Sequence, residues 1–291
     1  MSVTTTGEAA GARNAASPRR ERMRELLRSG TFMAGVIIVG FWVICALFGS
    51  HLVPVDPYAD DLLNSLVGPS SEHWFGTDSL GRDIFSRVIV GSRDILSVAP
   101  LATIIGTILG TALGLVTGYF RGFIDDAVGR VVDAFLALPL VIIALLALVA
   151  LGTSNTTVVV VIGVVFAPII ARTVRAAVLS ERELDYVAAA ELRGENALHI
   201  MFVEILPNVM PPILVESTVR LGYAIFAVAT LSFIGFGIQP PSADWGLAIA
   251  DGYSYIAGGY WWTVLFDAVA IASLVVGVNL LADGIQGALE T

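Results

Sequence analysis

The sequence predicts an all-α membrane protein with six transmembrane helices and both termini in the cytoplasm. Three observations carry this. Of 291 residues, 56% are hydrophobic and 14% charged, against about 45–50% apolar and about 25% charged in soluble domains. Six apolar stretches reach the length of roughly 20 residues that a helix needs to cross a hydrocarbon core of about 30 Å. The 16 basic residues are all arginine, and most gather on one side of those stretches.

Residues 1–30, rich in Ala, Gly, Thr, Ser and Arg, read as a disordered cytoplasmic tail, and residues 31–291 as the six-helix transmembrane body. The first span, about 31–53, is longer than a signal-peptide core and no A-x-A site follows it, so it reads as an uncleaved anchor. The second covers about 95–120 and is rich in Leu, Ile, Thr and Gly. The third and fourth, about 131–151 and 156–174, contain Pro139 and Pro168, residues that membrane helices tolerate better than soluble ones. The fifth and sixth cover about 211–236 and 261–283. No internal repeat is visible.

Arg13, Arg19, Arg20, Arg22, Arg24 and Arg28 precede the first span, and Arg121 and Arg130 lie between the second and third. Arg172, Arg175, Arg182 and Arg193 lie at or after the end of the fourth. Only Arg82, Arg87 and Arg93 fall on the other side, with Arg220 inside the fifth span. An excess of arginine marks the cytoplasmic face, which sets the orientation.

Composition also removes function classes. The charge sum of 16 − 25 = −9 argues against a nucleic-acid binder, which needs a basic face. With no lysine there is no P-loop lysine, no Schiff base and no kinase-type ATP lysine. One cysteine, Cys45, excludes an internal disulfide and a multi-cysteine metal site. His51, His73 and His199 form no HExxH pair, and no GxSxG occurs. The expectation is a chain that is not an enzyme, with no cofactor or metal of its own.

Two loops on the outward side are candidate contact surfaces. Residues 54–94 hold Asp56, Asp60, Asp61, Glu72, Asp78 and Asp83, and residues 237–260 hold Pro240-Pro241 and Asp244-Trp245-Gly246. An extracytoplasmic partner or substrate would meet them, though folded connectors with interfacial aromatics would look the same. On the inside, residues 180–208 form the longest polar insertion. Ser180 and Glu183 have capping-box spacing, the alanines favour a helix over about Arg182–Arg193, and Gly194 suits a turn. A second helix from about Asn196 to Leu206 is expected to end at Pro207-Asn208. The small residues Ala188, Ala189 and Ala190 would let another protein approach closely; equally, they suit any short helix. Glu216 and Arg220, four apart on the fifth span, can pair along one face or line a translocation path. Asp133, three residues after Arg130, reads as structural, and Asp267 in the sixth span has no settled role.

The inner loop is similar to the EAA loop of ABC importer permeases, roughly Glu-Ala-Ala, three residues, Gly, then a distant Leu-Pro. Ala189, Ala190, Gly194, Leu206 and Pro207 fall on that pattern, while Ala188 stands for the glutamate, Arg193 for an apolar residue and Glu204 for a common histidine. The outward run His73-Trp74-Phe75-Gly76-Thr77-Asp78, followed by Leu80-Gly81-Arg82-Asp83, resembles the signature of C-type permeases of dipeptide, oligopeptide and nickel importers. Gly118-Tyr119-Phe120, Val132-Asp133 with Pro139, Ser232-Phe233-Ile234-Gly235, Pro240-Pro241 with Trp245-Gly246, and Asn279-Leu280-Leu281 with Asp283 match in the same order.

This resemblance covers nearly the whole chain from about residue 30. It implies the type I ABC importer permease fold in the bacterial plasma membrane and one half of a heterodimeric pore. A homologous second permease, two ATPase domains carrying ATP and Mg2+, and an extracytoplasmic peptide-binding protein would be its partners, with lipid around it. It implies ATPase coupling at Tyr186, Ala189, Ala190, Glu191, Arg193, Gly194, Leu206 and Pro207. It implies binding-protein contact at His73, Trp74, Phe75, Gly76, Thr77, Asp78, Gly81, Arg82, Asp83, Pro240, Pro241, Trp245 and Gly246. Three competing readings are a secondary transporter, a channel subunit working without an ATPase, and an ABC permease for nickel or another small solute. A secondary transporter should show repeats or broken helices around a midplane site, and a channel a filter.

Overall fold

The computed structural model describes residues 26–290. The expected tail of residues 1–30 lies outside the described residues except for its last five. Among the described residues the chain is helical, and the Thr77–Asp83 bridge is isolated rather than part of a sheet.

Helix α1 (Gly30–Leu52) starts at Ser29, whose hydroxyl accepts the Phe32 N–H at 3.3 Å. Its Gly35 lies against Gly277 and Leu281, and its Gly49 against Ile89. Ile37, Phe41, Ile44, Leu47 and Phe48 stay exposed, as a lipid-facing helix requires. Helix α2 (Ile84–Phe120) has 37 residues, a length of about 55 Å that exceeds the hydrocarbon core. It is capped by Asp83, which accepts from the Ser86 N–H at 2.8 Å and the Ser86 hydroxyl at 2.6 Å. The second span therefore begins about eleven residues before its expected start at 95. Arg87, Arg93 and Asp94 ride on a helix instead of a loop.

The expected third span, 131–151, is broken. Helix α3 (Gly122–Leu136) and helix α4 (Leu140–Leu151) meet at 91°, so among the described residues five helices are long and apolar enough to cross and the bent pair makes a sixth only when counted together. Pro139 supplies the break: the residue before a proline is disfavoured in the α conformation, and the ring removes an N–H. Helix α4, with 12 residues, is about 18 Å long, too short to cross alone.

Helix α5 (Asn155–Glu181) starts at Ser154, whose hydroxyl accepts the Thr157 N–H at 3.1 Å, and runs past the expected end at 174. Ser180 and Glu183 therefore do not form a capping box, because Ser180 still belongs to α5. The short helix α6 (Asp185–Leu192) replaces the longer one expected over Arg182–Arg193. After Gly194, at φ +77°, the chain turns helical again at Ala197–His199, passes through a π-helical stretch, Ile200–Ile205, and continues as α7 (Leu206–Phe233). Pro207 does not end this helix. It sits in the first turn of α7, where a proline needs no N–H partner. Helix α8 (Trp245–Gly252) and a 3₁₀ turn (Tyr253–Gly258) lead to α9 (Trp262–Glu290).

The centre of the fold is the α2–α5 pair. Gly106, Gly110, Gly114 and Gly118 recur every four residues and face α5. A Cβ at Gly110 would lie 2.6 Å from Ile170 Cβ and 2.8 Å from the Ala167 carbonyl oxygen. At Gly114 it would lie 2.6 Å from Val174 Cβ and 2.8 Å from the Ala171 oxygen. Gly163 of α5 answers from the other side: a Cβ there would lie 2.9 Å from the Ala102 oxygen. Small residues at four-residue spacing let membrane helices approach at backbone distance, where dispersion supplies the attraction that lipid cannot.

Replacing Gly110 by Ala is expected to lower the thermal unfolding midpoint in detergent, at a cost of about 1–3 kcal/mol for the forced shift. Gly40→Ala, on α1 with nothing within 4 Å of the added Cβ, is expected to leave the midpoint unchanged or raise it slightly, since Ala is favoured over Gly in a helix by about 0.5–1 kcal/mol. Equal midpoints for both variants would contradict the packing.

Candidate functional site

The arginine-rich end of the bundle presents α6. Val187 and Ala190 of α6 are buried beneath it, while Ala188, Glu191 and Leu192 face outward, Leu192 at 89% exposure. Of the alanine patch, Ala188 is exposed, Ala189 half-buried and Ala190 fully buried. The helix is tied to three others. The Tyr186 hydroxyl donates to Glu181 Oε2 at 2.7 Å, at the end of α5, and accepts from Asn208 Nδ2 at 3.2 Å, in the first turn of α7. Burial and the Glu181 carboxylate push the Tyr186 phenol up to about 12, so it remains a donor across the physiological range. Glu191 accepts from the Tyr119 hydroxyl at 3.5 Å, near the end of α2, and the Arg182 guanidinium lies 5.2 Å from the Tyr119 ring centroid. Arg193 follows α6 and reaches Glu195 Oε1 at 2.7 Å and Glu204 Oε1 at 3.4 Å. Leu206 is half-buried, and Pro207 and Gly194 are exposed.

Tyr119, Glu181, Arg182 and Asn208 were not singled out as site residues from the sequence. Their signal was a polar group near a helix end, which is common and carries no spacing.

At the opposite end, most of the His73–Asp83 run builds the loop itself. Asp78 Oδ1 accepts the Leu80 and Arg82 N–H groups, both at 2.9 Å, and its Oδ2 accepts from Arg82 Nε at 2.7 Å. The Thr77 hydroxyl donates to the Asn64 carbonyl at 2.5 Å and accepts the Val67 N–H at 2.8 Å. His73 Nδ1 lies 3.0 Å from Asp83 Oδ1, and Phe75 stacks on Phe266 at 3.8 Å. Gly81, at φ +75°, has its missing Cβ 1.8 Å from the Asp61 carbonyl oxygen, so only glycine fits. Gly76, at φ +80°, is also tight: a Cβ would lie 2.6 Å from the Val67 oxygen. Trp74 is the exception, 58% exposed and edge-on to Phe85.

The loop over residues 237–260 divides the same way. Pro240 and Pro241 are exposed, whereas Trp245 is fully buried and donates to the Val88 carbonyl at 2.9 Å. Gly246 allows close contact with α7, because a Cβ there would lie 2.2 Å from the Ala229 oxygen. Arg87, which read as a loop residue, joins both loops by donating to the Pro57 carbonyl at 3.2 Å and the Ser242 carbonyl at 2.9 Å.

Glu216 and Arg220 do pair, Arg220 Nε donating to Glu216 Oε1 at 2.5 Å, and the guanidinium lies 4.9 Å from the Tyr223 ring centroid. Tyr223 and Phe226 on the same helix are exposed. Asp133 pairs with Arg172 at 2.6 Å, and Asp125 with Arg175 through both oxygens. These pairs line a cavity of about 370 Å³ between α2, α3 and α5.

The family model described as "Binding-protein-dependent transport system inner membrane component" matches residues 110–291. The one described as "N-terminal TM domain of oligopeptide transport permease C" matches residues 17–69. The chain is 38% identical over 276 residues to the dipeptide transport system permease protein DppC of Alkalihalophilus pseudofirmus, covering 95% of this chain and 90% of that protein. It is 37% identical over 260 residues to the probable D,D-dipeptide transport system permease protein DdpC of Escherichia coli, covering 89% and 87%. It is 36% identical over 277 residues to the glutathione transport system permease protein GsiD of Pectobacterium atrosepticum, covering 94% and 91%. Its fold is similar to a chain of the inward-facing MetNI methionine ABC transporter, with a TM-score of 0.58 and 21% identity over 70% of this chain and 96% of that one.

Asp244 caps α8 by accepting the Leu247 N–H at 2.9 Å, and burial pushes its carboxyl up to about 6. The folded state thus holds this proton more tightly than the unfolded chain, whose Asp ionises near its ordinary value of about 3.9. Stability contributed here is present below that value and is lost as pH rises through about 6. Relative to Asp244→Asn, the wild-type unfolding midpoint is expected to fall between about pH 4 and pH 6 and to level off above. A difference independent of pH would contradict the shift.

Proposed function

As a member of the binding-protein-dependent transport system inner membrane component family, the chain is a multi-pass permease subunit of an ABC importer in the bacterial inner membrane, and we propose that its cargo is a short peptide. The family is carried by the match over residues 110–291. The named cargoes of the relatives, dipeptides, D,D-dipeptides and glutathione, support the peptide class.

In this reading the arginine-rich end and both termini face the cytoplasm, and the chain forms one half of a heterodimeric pore with a homologous permease. Two ATPase domains, holding ATP and Mg2+, sit below it, and an extracytoplasmic peptide-binding protein delivers cargo to Trp74, Pro240 and Pro241. The chain itself catalyses no step: it has no lysine to place on a phosphate, and a peptide that passes through unmodified needs no nucleophile.

The observation that carries the coupling is α6, a short exposed helix held to three long ones. An ATPase seated on Ala188, Glu191 and Leu192 pulls through Tyr186 on both α5 and α7, and through Glu191 on α2. Closure of the ATPase pair changes those contacts between states. Only such a difference can shift the balance of inward-open and outward-open forms. Glu216 and Arg220, on a face of α7 with exposed aromatics, offer opposite charges to the termini of a passing peptide.

Purification of the chain with its partners in mild detergent tests this. Leu192→Asp and Ala188→Arg lie on the exposed face, so each is expected to weaken recovery of the ATPase at least about tenfold, the equivalent of about 1.4 kcal/mol, without lowering the thermal midpoint. Ala190→Arg, at a fully buried position, is expected to lower both. Full ATPase recovery with Leu192→Asp, or a homo-oligomer without any ATPase, would overturn the coupling surface.

A further inference from the structure

Glu195, His199 and Glu204 converge beside α6, one ligand atom of each lying within 4.8 Å of the other two. Backbone geometry brings them together. Glu195 and His199 are four apart across a helix start capped by Asn196, whose side chain accepts the His199 N–H at 2.8 Å. His199 and Glu204 are five apart, a spacing that would rotate them by about 140° in an α-helix. The π-helical stretch Ile200–Ile205 closes rings from i to i+5, and this returns Glu204 to the face of His199.

The oxygens are already sorted. Arg193 engages Glu195 Oε1 at 2.7 Å and Glu204 Oε1 at 3.4 Å, leaving the second oxygen of each carboxylate. Glu195 Oε2 is buried with no hydrogen-bond partner and lies 3.5 Å from His199 Nε2. Two carboxylates and one guanidinium leave a net charge of −1 on the cluster when the imidazole is neutral.

We infer that Glu195, His199 and Glu204 bind one divalent transition-metal cation of the zinc or manganese kind, with Arg193 orienting the carboxylates from outside. An imidazole with two carboxylates suits these ions over Ca2+ and Mg2+, which favour oxygen ligands alone. With bonds of about 2.0–2.2 Å in a tetrahedral site the ligand atoms lie about 3.3–3.6 Å apart. Glu195 Oε2 and His199 Nε2 already stand at 3.5 Å, and the Glu204 side chain must close in by up to about an ångström. Water completes the coordination. An outer hydrogen bond to a ligating carboxylate is the usual second layer of such sites, which is the place Arg193 occupies. The bound ion closes the chain from the Gly194 turn to the base of α7. Any effect on transport rests on the coupling role assigned to α6; binding itself does not.

The full complex in detergent, stripped by a chelator, is titrated with Zn2+ and then Mn2+ by calorimetry and thermal unfolding, alongside the same complex carrying His199→Ala, His199→Cys or Glu204→Gln. The wild type is expected to bind one Zn2+ more per chain than His199→Ala, with a midpoint rise that this variant lacks. Glu204→Gln is expected to weaken that site at least about tenfold, and His199→Cys, which restores a zinc ligand, to keep it. Metal-free midpoints report whether each variant folds. The same Zn2+ stoichiometry and the same midpoint rise in wild type, His199→Ala and Glu204→Gln would overturn the site and leave an ion-pair cluster. Zinc binding as expected with no loss of ATPase recovery in Leu192→Asp would keep the site and remove the coupling role.

Discussion

The backbone contact between α2 and α5 is the constraint on which the remaining structure depends. A bilayer offers no hydrophobic reward for bringing two apolar helices together, since lipid tails are as apolar as leucine. What remains is close packing, and close packing needs surfaces without side chains. Gly106, Gly110, Gly114 and Gly118 provide one along a little over three turns of α2, and the Ile170, Val174 and Val178 side chains of α5 fill it. Each step of four residues advances about 40° beyond a full turn, so the glycine row spirals slowly and α5 follows it at a crossing angle.

Because both helices run past the apolar region, the same pair also positions both ends of the molecule. At the end opposite the arginine-rich one, α2 carries Asp83, Arg87 and the Val88 carbonyl into contact with the two loops. Arg87 donates to Pro57 and Ser242, and Trp245 donates to Val88. These bonds satisfy polar groups that burial would otherwise penalise. At the arginine-rich end, α2 stops at Phe120 beside Tyr119, and α5 stops at Glu181, which accepts from Tyr186. Helix α6 is thereby hydrogen-bonded to α2, α5 and α7 together.

The apolar runs were legible because transmembrane length and composition are local properties. Five expected spans appear as helices, at 30–52, 84–120, 155–181, 197–233 and 262–290, and most extend beyond the apolar stretch that announced them. Their polar ends, such as Ile84–Asp94 and Arg175–Glu181, carry no hydropathy signal, so the expected bounds fell short. The third span failed for a different reason. Residues 131–151 are apolar but for Asp133, yet Pro139 near their middle breaks the helix, and hydropathy does not register a bend. In the loop before α2, the run from His73 to Asp83 stood out as a motif, yet Thr77, Asp78, Gly81 and Asp83 fold the loop, while Trp74 is exposed and its neighbour Phe75 is stacked on Phe266.

By itself the sequence determined that this is a six-stretch helical membrane chain without lysine chemistry and with a small, glycine-broken helix on its arginine-rich side. Those features follow from composition, from charge placement and from motifs whose spacing is short along the chain. Only the tertiary structure decided which face of α6 is available, because Ala190 and Ala188 are two residues apart yet point to opposite sides. It also decided that Tyr186 links α5 to α7 and that Glu204 joins His199 across a π-helical turn. Hydrogen bonds between residues far apart in sequence depend on how helices cross, and one turn with altered pitch changes which side chains meet. Neither quantity is encoded in the periodicity of a single segment.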